Sequence, residues 1–223
     1  MKGWLVNDTL TCIPGTKTLW HDLLDWIPEL KSPIDGYLPF AVLDNFICAK
    51  AAVEGAPDFV VRNCTFFPPL KIKTKTISIL QDIYEGAERN RQIEVANNSD
   101  LVIFNSECTK SFYEQEVKTR TEVIPLGIDF DHFKPSEETH EDVLPNSILF
   151  IGAATNYPKG FDLVRELVES TNHNYCLVMK DDFSWEHPRV KVFNSVDHDE
   201  LVKIINSCSL AICTSLHETQ HLA

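Results

Sequence analysis

Residues 148–168 read ILFIGAATNYPKGFDLVRELV and combine three local patterns. A short apolar run comes first, which is typical of a strand buried on both faces. A turn follows, and apolar residues then recur at helical spacing from Phe161 onward. Strand, loop and helix in this order begin a βαβ unit, so the stretch predicts a parallel sheet.

The same alternation extends over nearly the whole chain. Strands are predicted at 4–6, 58–62, 76–81, 101–104, 122–125, 147–151, 175–179, 190–193 and 210–213. Helices are predicted from 19 (after Thr18), at 39–54 and 86–98, after an N-cap at Ser106, and at 161–169 and 199–205. Residues 135–145 are acidic and lack apolar periodicity, which predicts a linker between two Rossmann-like domains, 1–134 and 146–223.

The composition is that of an ordinary folded protein. Of 223 residues, 43% are hydrophobic and 24% charged, which excludes a disordered chain. A net charge of −13 disfavours tight nonspecific binding to nucleic acid or to an anionic membrane. The sequence has no apolar run long enough for a membrane span and no signal-peptide core. The 7 cysteines include no C-x-x-C pair, so we expect reduced, mostly buried thiols and a cytoplasmic protein.

Three segments, in this order, resemble the retaining GT-B glycosyltransferases that use nucleotide-activated sugars, a family 4-like group. They are residues 99–113 with 123–135, residues 148–168, and residues 190–223, which end just past the first glutamate of an E-x7-E motif. The resemblance covers well over half the chain. It implies an α/β fold of the GT-B type: two Rossmann-like domains with parallel sheets, the second of them incomplete.

The resemblance also implies a sugar-donor site in the second domain. Its donor-binding residues are Gly152, Lys159, Gly160, Asn194 and Glu218. A diphosphate needs cations and backbone N–H groups, and a lysine at the N-terminus of a helix after a strand supplies both. Glu218 is expected to contact the transferred sugar. A solvated Lys159 beside a turn glycine, and Glu218 as an acid favoured at a helix start, are the plainer alternatives.

Two positions depart from the family pattern. Ala153 stands where the family usually has an arginine. The missing charge should weaken diphosphate binding by about 1.5–3 kcal/mol, unless Thr155, Asn156 or a lysine from elsewhere compensates. Gln81 stands where the family often has a histidine, and an amide cannot transfer protons.

Two residues of the first domain are further site candidates. Asp82 either orients an acceptor hydroxyl, which makes it a catalytic candidate with Glu218, or caps the following turn. The loop with Gly15 either meets donor and acceptor or is a simple turn.

The resemblance also implies that the chain needs no cofactor and no obligatory metal. His217 and His221 lie four positions apart, but further ligands are lacking. The sequence has no G-x-S-x-G motif, the local pattern of a serine nucleophile.

These observations together favour transfer of a sugar from a nucleoside-diphosphate sugar to a hydroxyl acceptor. The alternatives are a catalytically weak nucleotide-sugar-binding or scaffold relative, and a sugar-nucleotide epimerase on the same fold. Because the sequence stops inside the donor domain, we expect the chain alone to self-associate through that domain and to have little activity.

Overall fold

The structure, a computed structural model, describes residues 2–7, 27–31, 43–63, 69, 71–154, 159–180, 182–216 and 218. The chain divides into two compact units, Met1–Leu126 and Gly127–Ala223. The division lies N-terminal to the expected linker at 135–145. Each unit is built around its own sheet.

The described part of the first unit contains strands interspersed with helices. Its elements are β1 (Gly3–Asn7), β2 (Leu30–Lys31), α1 (Leu43–Glu54), β3 (Phe59–Asn63), β4 (Lys75–Leu80), α2 (Gly86–Asn97), β5 (Leu101–Phe104), α3 (Glu107–Tyr113) and β6 (Thr121–Val123).

All the strand pairs of the first sheet are parallel, in the order β2-β1-β3-β4-β5-β6. Its strands are apolar because helices cover parallel sheets on both faces. The strand order reverses between β1 and β3, where the loop after β1 begins. Gly15, which follows β1 in the sequence, lies outside the described residues.

The second unit has the same alternation in a smaller sheet. Its elements are β7 (Ser147–Gly152), α4 (Phe161–Ser170), β8 (Asn174–Met179), β9 (Val190–Asn194), α5 (His198–Ser207) and β10 (Leu210–Ala211). The strands are parallel in the order β10-β7-β8-β9. The chain therefore moves outward from β7 to β9 and returns to the other side of β7.

The second sheet is buried on both faces by one helix each. Alternate residues of β8 point to opposite faces, so Leu177 joins a core with Val164 of α4, while Cys176 joins a core with Ile204 of α5. All four residues are fully buried. A helix on each face of a parallel sheet is the arrangement of a doubly wound Rossmann-like unit.

Residues 135–145, expected as a linker, are held on the second unit. The backbone N–H of Ser136 donates to Asn206 Oδ1 at 3.1 Å, and that of His140 donates to Ser207 Oγ at 2.7 Å. Val143 packs against the core under α5. The segment lacks apolar periodicity because polar side chains of α5, rather than a buried stripe, hold its backbone.

The cysteines differ from the expectation of mostly buried thiols. Among the described cysteines Cys176 is buried, Cys48 and Cys208 are half-buried, and Cys108 and Cys213 are exposed. The thiols of Cys176 and Cys208 share a hydrogen bond, which raises the pKa of Cys176 and lowers that of Cys208. Across the described residues, no helix is both long and apolar enough to cross a membrane.

Candidate functional site

The second sheet has one position where ligands are expected from topology alone. In open parallel sheets, ligands bind beyond the carboxyl ends of the strands where the strand order reverses. That position lies between β7 and β10. Lys159 belongs to the loop that follows β7, and Glu218 to the segment that follows β10.

Lys159 and Glu218 form an ion pair at this position. Lys159 Nζ donates to Glu218 Oε1 at 2.5 Å. Both side chains are partly buried, with exposed fractions of 34% and 22%. Partial burial reduces screening by water, so the two charges attract each other more strongly than they would on an open surface.

The backbone brings the two loops together. Thr214, just past β10, donates from Oγ1 to the Lys159 carbonyl oxygen at 2.8 Å. Gly160 has a φ of +63°, and a Cβ atom there would lie 2.1 Å from the Thr214 carbonyl oxygen. Only glycine combines that conformation with so close an approach. The sequence-predicted Lys159-Gly160 pair therefore has a structural role, independent of any ligand.

Gly152 and Ala153 occupy the end of β7. A Cβ atom on Gly152 would lie 2.5 Å from the Phe150 ring, so the glycine allows that ring to pack. Ala153 is buried, with 8% of its surface exposed. The position where the resembling family carries an arginine thus holds a buried methyl group. Thr155 and Asn156, the expected substitutes, lie outside the described residues.

Asn194 ends β9 and fixes a neighbouring loop. Its Nδ2 donates to the Phe183 carbonyl oxygen at 2.9 Å, and its Oδ1 accepts from the Phe183 N–H at 3.3 Å. Phe183 in turn packs edge-on against Phe161, at a ring distance of 5.0 Å. The described contacts of Asn194 are those of a loop clamp, and donor binding by this residue stays a prediction.

Asp82 lies in the first unit, in the turn that follows β4. Its side chain is exposed, and its carbonyl oxygen accepts from Tyr113 Oη at 3.2 Å. The same hydroxyl accepts from the Tyr84 N–H at 3.1 Å and is hydrogen-bonded to buried Gln92. A buried tyrosine therefore fixes the turn that carries Asp82. Sequence reasoning missed Tyr113, because its position in a helix stripe indicates only a core residue.

Gln81 and the two histidine candidates provide no further catalytic or metal-binding group among the described residues. Gln81 Nε2 is buried and lacks a hydrogen-bond partner among the residues that the structure describes. His217 and His221 lie outside those residues. Within the described ranges, no group of three or more His, Cys, Asp or Glu side chains is arranged to hold a metal ion.

Among the solved structures that resemble this one, two cover most of the chain. The first is sucrose-phosphate synthase from Thermosynechococcus elongatus, with a TM-score of 0.65 and 16% identity over 84% of this chain. The second is a glycosyltransferase from Rickettsia africae ESF-5, with a TM-score of 0.62 and 14% identity over 96% of this chain. No family model and no curated protein matches the sequence.

The likeness is one of fold. This chain spans 59% of the length of the synthase and 72% of that of the Rickettsia protein. Both neighbours are named as enzymes that act on sugars, and identities of 16% and 14% relate the three proteins by architecture alone. The chain therefore has an α/β fold of the GT-B type, with Rossmann-like parallel sheets.

Proposed function

We propose that this chain serves the transfer of a sugar from a nucleoside-diphosphate sugar to a hydroxyl group of an acceptor. One observation carries the proposal: the Lys159 ammonium lies beside the Glu218 carboxylate where the second sheet reverses its strand order. The fold shared with two glycosyltransferases supports it. The sequence resemblance adds the donor class.

Lys159 and the start of α4 bind the diphosphate in this proposal. The ammonium supplies one full positive charge, and the first N–H groups of α4 add the positive end of the helix dipole. The N-cap of α4 is Gly160, which has no side chain to hydrogen-bond these N–H groups. Negative charge grows on the diphosphate as the bond to the sugar breaks, so these groups stabilise the transition state more than the ground state.

Glu218 accepts hydrogen bonds from hydroxyl groups of the transferred sugar. A role for Asp82 toward the acceptor hydroxyl rests on the family resemblance alone. The bond between the anomeric carbon and the diphosphate oxygen breaks, and the acceptor oxygen bonds to the anomeric carbon. The departing diphosphate oxygen takes the acceptor's proton on the same face, which retains the anomeric configuration. Retention, independence of an obligatory metal and action in the cytoplasm are parts of the proposal that rest on the family resemblance.

A second candidate is a relative that binds nucleotide sugars without turnover. Ala153 favours it, because a buried methyl group stands where a second cation would help to bind the diphosphate. Gln81 favours it as well, because its amide cannot transfer protons.

The test is a panel of UDP-, GDP- and ADP-sugars labelled in the sugar, incubated with the chain and with its Lys159→Ala variant. Because the chain alone is expected to have little activity, the proposal expects binding of at least one donor with slow release or transfer of its label, and loss of both in the variant. Donor binding without release supports the second candidate. Inversion of a sugar hydroxyl without release supports an epimerase. No binding and no turnover with any donor contradicts the proposal.

A further inference from the structure

The Lys159 ammonium has an anionic partner within its own unit. Glu218 supplies it from the segment after β10, at 2.5 Å. The contact between Gly160 and Thr214 and the hydrogen bond from Thr214 to Lys159 hold the two loops together next to this pair. An anion that binds Lys159 must therefore compete with a carboxylate tethered beside it.

We propose that Glu218 is an internal counter-anion, which closes the Lys159 site when it is empty and competes with a nucleoside diphosphate for the ammonium. The inference rests on the proposed function for the role of Lys159. It adds that Glu218 opposes the binding of a diphosphate that carries no sugar.

The competition follows from the tether and the charges. A carboxylate fixed in the same unit has a high effective concentration at the ammonium, so the pair re-forms whenever the site empties. A diphosphate can bind the Lys159 ammonium only if this ion pair separates. A nucleotide sugar differs from the bare diphosphate, because its hydroxyl groups give the displaced carboxylate new hydrogen-bond partners. Glu218 therefore favours the donor over the diphosphate product and promotes product release.

The test measures affinities of UDP, GDP, ADP and inorganic pyrophosphate for the chain by calorimetric titration. Glu218→Gln removes the competing charge and keeps the shape of the side chain. We expect each diphosphate that binds the parent chain to bind this variant at least about threefold more tightly. Lys159→Ala should bind at least about tenfold more weakly.

Asp142→Asn is the matched control. Asp142 belongs to the same unit and pairs with Lys191 at 3.4 Å. Its substitution removes one negative charge from the unit without touching the Lys159 site. Diphosphate affinity should stay within about twofold of the parent value. A gain equal to that of Glu218→Gln would mean that net charge, and not competition, is responsible, and would overturn the inference.

A readout without ligand checks the ion pair itself. An amine-acylating reagent reacts with the unprotonated amine of each lysine that it can reach, and an ion pair with a carboxylate shields that amine. Mass spectrometry assigns the modified residue. Glu218→Gln should raise the acylation of Lys159 and leave Lys191 unchanged, while Asp142→Asn should do the reverse. Thermal melting of each variant confirms that it is folded.

The outcomes separate the inference from the proposed function. Equal or weaker diphosphate binding by Glu218→Gln, with binding lost in Lys159→Ala, contradicts the competition and leaves the proposed function supported. No diphosphate binding by the parent chain and by Glu218→Gln contradicts both.

Discussion

Lys159 and Glu218 were both predicted from the sequence, and simple geometry explains why their contact follows. Parallel strands place the loops at their carboxyl ends along one edge of a sheet. β7 and β10 are neighbours, so the residues after them come together. The hydrogen bonds of Asn194 could not be predicted in this way. They join its side chain to the backbone of Phe183, and since nearly every residue has the same backbone groups, the sequence does not indicate which one is the partner.

Gly160→Ala should destabilise the second unit by more than a change in helix propensity alone would explain. The new Cβ atom would lie 2.1 Å from the Thr214 carbonyl oxygen, at a φ of +63°. The strained conformation and the overlap together should lower the free energy of unfolding by about 2–4 kcal/mol. Urea unfolding followed by circular dichroism measures it.

Gly86→Ala is the control for that substitution. Gly86 has a φ of +60°, and a Cβ atom there would meet nothing within 4 Å. Gly86→Ala should therefore lower the free energy of unfolding only by the cost of the left-handed conformation, about 1–2 kcal/mol. A loss in Gly160→Ala no larger than in Gly86→Ala would show that the close approach of the two loops is not tight in solution.

The secondary-structure elements were mostly predictable, and the exceptions are at sheet edges. β5 was predicted with its observed bounds, and the Ser106 N-cap of α3 is confirmed by a 3.1 Å hydrogen bond from the Thr109 N–H. β2 was missed and β10 is shorter than predicted. Both are edge strands with one neighbour each, so contacts with that neighbour, and not local periodicity, set their length.

The start of β4 depends on one carboxylate, which gives a prediction with a pH dependence. Asp100 accepts from the Thr76 N–H and from Lys75 Nζ, both at 2.9 Å. The Thr76 N–H, with the Lys75 ammonium, lowers the pKa of Asp100 below its ordinary value of 3.8. Since the pKa is lower in the folded state, the stabilisation is complete well above the ordinary value and is lost as the pH falls through the folded pKa.

Asp100→Asn should therefore lower the free energy of unfolding by about 0.5–1 kcal/mol at pH 7, because the carboxylate is partly exposed. The difference from the parent chain should be smaller at an acidic pH below the ordinary pKa of 3.8, as the pH approaches the lowered pKa of the folded state. Urea unfolding at both pH values measures it. Glu137→Gln, at an exposed position, is the control and should change stability at neither pH. A loss of stability in Asp100→Asn that is equal at both pH values would contradict the role given to the Asp100 carboxylate.

At the scale of the whole molecule, the sequence indicated two Rossmann-like domains, and the structure has two compact units, each built around its own parallel sheet. The segment 135–145 could not be assigned to the second unit from sequence, because polar contacts with α5 hold it. Self-association through the second unit stays a prediction. Exposed apolar side chains are present there, including Leu210 of β10 and Leu216, with 57% and 55% exposed.

The most direct test of the central claim compares donor binding by two lysine variants of the second unit. Lys159 and Lys191 are exposed to 34% and 38%, and each pairs with one carboxylate. Isothermal titration of the nucleotide sugar that the parent chain prefers should give an affinity at least about tenfold weaker for Lys159→Ala. Lys191→Ala should stay within about twofold of the parent chain. Unchanged binding by Lys159→Ala, or an equal loss in both variants, would contradict a donor site at Lys159.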